Sequence, residues 1–210
     1  MSRNAGTVDT AYAARADVTD EAQVRRAFDE CRTVNGPIAI LVNNAGIAES
    51  APLSRTDLAM WERMLSTNLT GTFLCTREAV NDMAPAGWGR IVNVASVAGL
   101  AGAPYIAAYS ASKHGVVGLT RALAAELAGK HVTVNAVCPG YTETEMLDRT
   151  IANITARTQK SEGEARELLA QASPGGRIAT AEEVAEAILE LIEGTQTGAT
   201  LVIPRGSKVN

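Results

Sequence analysis

The sequence predicts an α/β protein built on a doubly wound parallel sheet, and three observations carry that expectation. Apolar runs of strand length recur at 38–42, 91–95 and 132–138, and longer segments with apolar residues at helical spacing alternate with them. The runs are continuous rather than alternating, which suits strands of a parallel sheet covered on both faces. Asn43-Asn44-Ala45-Gly46, Ser96 and Pro139-Gly140 each follow such a run. All three therefore lie beyond the carboxyl ends of the strands, where sheets of this kind bind ligands.

The elements follow in order. Residues 1–11 are small and polar without a period and read as loop or frayed helix. Tyr12 to Val18 reads as a short strand ending in Ala16-Asp17-Val18, and a helix follows with Val24, Ala27, Phe28, Cys31 and Val34 at helical spacing. Asp20 with Gln23 can cap its start. Ile38 to Val42 is a strand expected to be covered on both faces. From Asp57 to about Met83 the pattern is one long helix, with Trp61, Met64, Leu65, Leu69, Phe73, Leu74 and Val80 as its inward stripe. Asn68 is the polar member of that stripe, and its residue type alone suggests a side chain bonded to a nearby backbone carbonyl.

Ile91 to Ala95 is the next strand, and Tyr109 to about Ala128 a helix whose small residues permit close approach of a neighbour. Val132 to Cys138 is a further strand, ended by Pro139-Gly140. The segment 142–175 is charged and helical and is expected to form a lid over the site. Ala181 to Ile192 is a helix with Glu182 and Glu183 in its first turn, where acidic residues favour the helix dipole. Thr200 to Ile203 makes a last strand, which Pro204 ends.

With 210 residues, 46% hydrophobic and 20% charged, the chain is long enough for one domain with a sizeable core. A net charge of -4 argues against nucleic acid or an anionic membrane as the main partner. Cys31, Cys75 and Cys138 are scattered within apolar patterns and read as reduced core thiols, which suggests a cytoplasmic protein. His114 and His131 are read as a packing and a surface residue rather than metal ligands, and Glu143, Glu145 and Asp148 as a solvated face of the lid.

The chemistry concentrates between Ser96 and Lys113. The run Ile91-Val92-Asn93-Val94-Ala95 delivers Ser96 at a strand end, and a glycine-rich loop leads to Tyr109 at a helix start. Lys113 follows four residues later, on the same helical face. A phenol with a pKa of about 10 is a poor acid or base at neutral pH, and a nearby cation lowers that value. A phenol tuned in this way can protonate a carbonyl oxygen that is receiving hydride while a serine hydroxyl holds the same oxygen.

Asn43-Asn44-Ala45-Gly46, Asn68, Ser96 thirteen residues before Tyr109, Lys113 and Pro139-Gly140 together resemble the short-chain dehydrogenase/reductase family, from about Ala16 to Thr200. The resemblance implies a Rossmann-like fold, an NAD or NADP cofactor, a small-molecule carbonyl or alcohol substrate and a homo-oligomer, dimer or tetramer. By resemblance Tyr109 is the acid-base residue, Lys113 lowers its pKa and holds the nicotinamide ribose, and Ser96 positions the substrate carbonyl. Asn68 would hold a water linking the lysine to solvent. Asp17 and Val18 match positions that touch the adenine ring, and Asn44, Ala45 and Gly46 those along the adenosine ribose. Pro139, Gly140 and Thr142 match the nicotinamide side. The tract 139–150 followed by 161–177 looks most like members acting on 3-hydroxyacyl or 3-oxoacyl substrates.

One departure stands out. The family opens with a glycine-rich turn whose backbone amides and helix dipole cradle the pyrophosphate. Here the only glycine before Gly36 is Gly6. The fold is therefore expected to be N-terminally truncated, the sequence a partial record of a longer chain, and the Tyr12 to Val18 strand short of its usual neighbours. The alternative to an oxidoreductase is a cofactor-incompetent fragment or relic of the family with a binding role only.

Overall fold

The computed structural model describes residues 12–204. The expectation for residues 1–11 lies outside them. Four strands, β1 (Ile40–Asn43), β2 (Gly89–Val94), β3 (Val132–Pro139) and β4 (Thr200–Ile203), form one sheet in the order β1-β2-β3-β4, every pair parallel. The register sets Asn43 beside Asn93, Val94 beside Val137 and Pro139 beside Ile203, so the loops after β1, β2 and β3 leave from one edge.

Alternation across the strands sorts the core into two layers. Ile91 and Val134 face α1 (Glu21–Asn35), α3 (Gly71–Ala86) and α4 (Ala107–Leu127) and pack with Phe28, Leu74, Ala79, Met83 and Leu127. Val92, Val137 and Ile203 point the other way, against Ala187 and Leu191 of α7 (Ala181–Glu193). Asp20 caps α1 through the Gln23 amide, as its sequence position implies, and Thr180 with Glu183 forms a capping box on α7.

Three sequence expectations change. Tyr12 to Val18 forms no strand: among the described residues β1 is an edge strand paired with β2 alone, and no strand lies beside the segment to offer a ladder. Ala14 and Ala16 instead bury themselves against Ala27 of α1. The β1 strand is not covered on both faces. Leu41 packs into the α1 layer, but Ile40 and Val42 are 45% and 37% exposed because α7 reaches only the strands from β2 onward. The long helix is also interrupted. α2 (Leu58–Leu65) and α3 are joined by a π turn at Ser66–Thr70. A π turn inserts a residue into the helical phase. Phe73, assigned inward by a continuous period, therefore stands exposed, and Trp61 before the turn is exposed too, while Met64, Leu74, Cys75 and Ala79 face in.

A buried polar chain crosses the sheet. Asn43 Nδ2 donates to Asn93 Oδ1 at 2.8 Å and to Thr76 Oγ1 at 2.9 Å, and Asn93 Nδ2 donates to Thr120 Oγ1 at 2.9 Å. It joins β1, β2, α3 and α4 just below the loop edge. Between β3 and α7 the chain makes a helical excursion, α5 (Glu145–Arg157) and α6 (Glu162–Gln171), with its own small core of Leu147, Ile151, Ala165 and Leu169. Its ends meet: Glu143 N donates to Ala179 O at 3.0 Å and Ala179 N to Tyr141 O at 2.9 Å. No helix of the described residues is long and apolar enough to cross a membrane.

Replacing Asn93 by Leu leaves the Asn43 amide and the Thr120 hydroxyl without their shared partner in a dry site. We expect a loss of about 1–3 kcal/mol in urea unfolding, against a change within about 0.5 kcal/mol for Ile40→Thr on the exposed strand face. Equal effects of the two changes would contradict the assigned role of the polar chain.

Candidate active site

Ser96 caps the short turn that follows β2. Its Oγ accepts from Ala98 N at 3.1 Å and donates toward Pro139 O at 3.5 Å. The loop beyond it lies directly on α4: a Cβ at Gly99 would sit 2.6 Å from Lys113 O, so only glycine permits this approach. α4 starts at Ala107 rather than Tyr109, and presents Tyr109 and Lys113 from successive turns toward the same strand ends.

Lys113 is 6% exposed, and its Nζ donates to Val94 O at 2.8 Å while lying 5.8 Å from the Tyr109 ring centroid. Burial dominates the ammonium, drawing its pKa from 10.5 down to about 8 despite a favourable Coulombic contribution from Cys138. Burial likewise raises the Tyr109 phenol above its ordinary 10.0. The Ser96 hydroxyl opposes that rise, whereas Tyr141 and Cys138 add to it. Tyr109 thus holds its proton at neutral pH and stands as an acid, and the lowering expected from Lys113 does not follow, because burial outweighs every neighbour that favours the phenolate.

Asn68 sits in the π turn, and its amide is fully engaged. Ile47 N donates to Oδ1 at 2.9 Å, and Nδ2 donates to Ile47 O at 3.0 Å and to Ser112 Oγ at 3.0 Å. Ser112 in turn donates to Tyr109 O at 2.7 Å. A Cβ on Gly46 would lie 3.3 Å from Asn68 Oδ1 and 3.7 Å from Lys113 Nζ, which sets this bare backbone beside the ammonium. Sequence reasoning singled out Asn68 but missed the clamp on Ile47 and the connecting Ser112, whose one signal was a small hydroxyl three residues past Tyr109.

The remaining predicted residues occupy the same edge or its flank. Asn44 and Ala45 are exposed in the loop after β1. Gly140 N donates to Ile203 O at 2.9 Å, and Thr142 Oγ1 folds back to Gly140 O at 3.3 Å. Asp17 accepts from Thr19 N at 3.0 Å in the turn before α1, and Val18 meets Gly71 at the start of α3. His114 is exposed on α4 rather than packed, with Nδ1 3.0 Å from Ser110 O. The three cysteines are free, Cys75 and Cys138 buried. Among the described residues no group of three His, Cys, Asp or Glu side chains could hold a metal ion.

Comparison with known proteins decides the family. A family model described as short chain dehydrogenase matches residues 2–155. The chain belongs to this family. An inactive 2-(S)-hydroxypropyl-CoM dehydrogenase of Xanthobacter autotrophicus is 42% identical over 182 residues, 87% of this chain and 77% of that protein. A cis-4-hydroxycyclohexanecarboxylate dehydrogenase of Sinomonas cyclohexanicum is 41% identical, with 91% of this chain and 74% of that protein covered. A crystal structure of an actinorhodin polyketide ketoreductase variant with NADPH superposes with a TM-score of 0.85 at 37% identity, covering 90% of this chain and 74% of that one. The family fold is thus the doubly wound sheet described above.

Lys113 gives this site a measurable pH signature. Its folded pKa of about 8 lies below the ordinary 10.5, so between these values the unfolded chain binds more protons and stability rises with pH. Lys113→Met removes both the rise and the buried charge. Allowing for the orphaned Val94 carbonyl, we expect a gain of about 1–2 kcal/mol at pH 7 that shrinks as pH rises from about 8 to 10.5. Thermal unfolding across that range is the check, and a variant less stable at every pH would refute the burial cost.

Proposed function

We propose that the chain interconverts a secondary alcohol and a ketone by NAD(P)-dependent hydride transfer, with 3-hydroxyacyl or 3-oxoacyl compounds as candidate substrates. The observation that carries this reading is the convergence of a protonated phenol, a strand-end serine and a buried ammonium at one sheet edge. Cofactor binding is supported by the residues around Lys113. An ammonium has three N–H donors, and Val94 O takes one, so the group has capacity for a ribose diol as well. The bare backbone at Gly46 and the exposed Asn44 and Ala45 suit the adenosine side.

When bound, the reduced nicotinamide supplies a hydride to the carbonyl carbon. The electron pair of the C=O π bond then moves onto the oxygen, and Tyr109 Oη gives that oxygen its proton. Ser96 Oγ holds the same oxygen by a hydrogen bond, and the Lys113 ammonium favours the phenolate left behind. In the reverse direction the phenolate form of Tyr109 takes the hydroxyl proton. The 142–175 segment acts as the lid, and by family resemblance the chain works as a cytoplasmic dimer or tetramer.

A second reading has one observation in its favour. The Xanthobacter autotrophicus relative, 42% identical, is named as inactive, and a cofactor-incompetent protein with a binding role only is the alternative. Calorimetric titration of NADH and NADPH separates the two. Binding with measurable ketone reduction supports the enzyme, whereas a folded chain that binds neither nucleotide supports the alternative. In the enzyme, Tyr109→Phe should lower turnover by a factor of about 10²–10⁴ while leaving nucleotide affinity within about twofold. Full activity of that variant would remove the proposal.

A further inference from the structure

Ser110 and Ser112 lie between Tyr109 and Lys113 in the sequence, and both hydroxyls are tied to other elements of the fold. At about 100° per residue they fall on opposite sides of the face that Tyr109 and Lys113 share, each about 60° from its edge. A helical serine ordinarily bonds back to its own preceding turn or points to water. These two do more.

Ser110 Oγ donates to Ala98 O at 2.7 Å, in the loop after β2. The Ala98 peptide carries the link onward, because its N–H donates to Ser96 Oγ at 3.1 Å. One lone pair of the Ser96 hydroxyl is thereby fixed, and its proton is left aimed at Pro139 O, 3.5 Å away. That separation is well beyond the usual O–H···O range of about 2.5–3.0 Å, so the proton is free to pass to a substrate oxygen.

Ser112 is fully buried on the opposite side. It donates to Tyr109 O at 2.7 Å, the carbonyl that helical geometry also offers to the Lys113 amide. Its own oxygen accepts from Asn68 Nδ2 at 3.0 Å, and Asn68 holds Ile47 by both backbone groups. Ile47 follows Gly46, whose bare backbone lies beside Lys113 Nζ. Ser110 therefore leads to the substrate side of the turn and Ser112 to the nucleotide side.

We propose that Ser110 and Ser112 are positioning residues that clamp the Tyr109–Lys113 turn from its two sides, Ser110 setting the Ser96 hydroxyl and Ser112 setting the loop at Gly46. This rests on the oxidoreductase reading and deepens it. Without the Ser110 hydroxyl the Ala98 peptide can rotate, and the Ser96 proton loses its aim. Without the Ser112 hydroxyl Asn68 keeps Ile47 but lets go of α4, so the loop and the ammonium lose their common level. A misplaced donor at the reacting oxygen lowers turnover, whereas a misplaced nucleotide loop lowers affinity.

The test uses the full chain with NADPH and ethyl acetoacetate. Ser110→Ala should lower kcat about tenfold and leave the calorimetric Kd for NADPH within about twofold, and Ser110→Thr, which keeps the hydroxyl, should restore turnover. Ser112→Ala should raise that Kd about tenfold, while kcat at saturating NADPH falls less than about threefold. Ser112→Cys fills the same space with a weak hydrogen-bonding group; it should match the alanine variant and replaces it if alanine prevents folding. Equal shifts of kcat and Kd in both variants, or no shift in either, would overturn the clamp. A native chain that neither binds NADPH nor reduces the ester sinks the oxidoreductase reading; in that case, or if NADPH binds without turnover, amide hydrogen exchange decides the clamp. Exchange faster by about tenfold at Ala98 alone in Ser110→Ala, and at Ile47 alone in Ser112→Ala, upholds it. The same change at both amides, or at neither, overturns it.

Discussion

A primary amide shut away from water must find partners for its oxygen and its nitrogen, and the structure around Asn68 is arranged by that requirement. Each unmet group would cost about 1–3 kcal/mol. The helix therefore takes up a π turn, and the amide reaches Ile47 on both its N–H and C=O and then Ser112. Three elements are fixed at once: the loop after β1, the helix pair α2–α3, and α4 with Tyr109 and Lys113. The Asn43–Asn93–Thr120 chain repeats the device one layer deeper, and together they give the strand ends a common level.

Where physical chemistry is local, the sequence was readable. Strands β2 and β3 are continuous apolar runs, α7 has its helical stripe and acidic first turn, and Ser96, Tyr109 and Lys113 come together because strand end and helix spacing are short-range facts. The misreadings have a common cause, which is that a neighbour decides. Tyr12 to Val18 has strand composition, yet a strand exists only if another pairs with it. Ile40 and Val42 look like interior residues, yet burial depends on whether a helix covers them. The outward turn of Phe73 follows from the phase shift at Asn68, set by Ile47 more than twenty residues earlier in the chain. Asn68 was noticed as a polar intruder in an apolar stripe, but its partners are distant in sequence and no period announces them.

The site is also where the molecule tolerates what it avoids elsewhere. An ammonium lies under protein with a backbone carbonyl beside it, a phenol is kept protonated by burial, and a tyrosine occupies backbone space usually left to glycine. None of these favours folding. All three cluster within ten residues of one another, and the surrounding sheet, with its fully buried β3, carries the stability that lets them persist.

The excursion from β3 to α7 leaves and re-enters the body of the protein at one point, where Glu143 and Tyr141 meet Ala179. Its helices satisfy each other through a private core, so the sheet does not register their length or composition. In evolutionary terms this is a cassette. Insertions, deletions or wholesale exchange between Thr144 and Ala172 leave strand register and the Ser96–Tyr109–Lys113 geometry where they were, provided the clasp at Ala179 and the Ser173 contact with Tyr141 are kept. Lineages built on this framework can therefore diversify this excursion at a different pace from the strand ends, and a laboratory library confined to that stretch would sample new helices on an unchanged base.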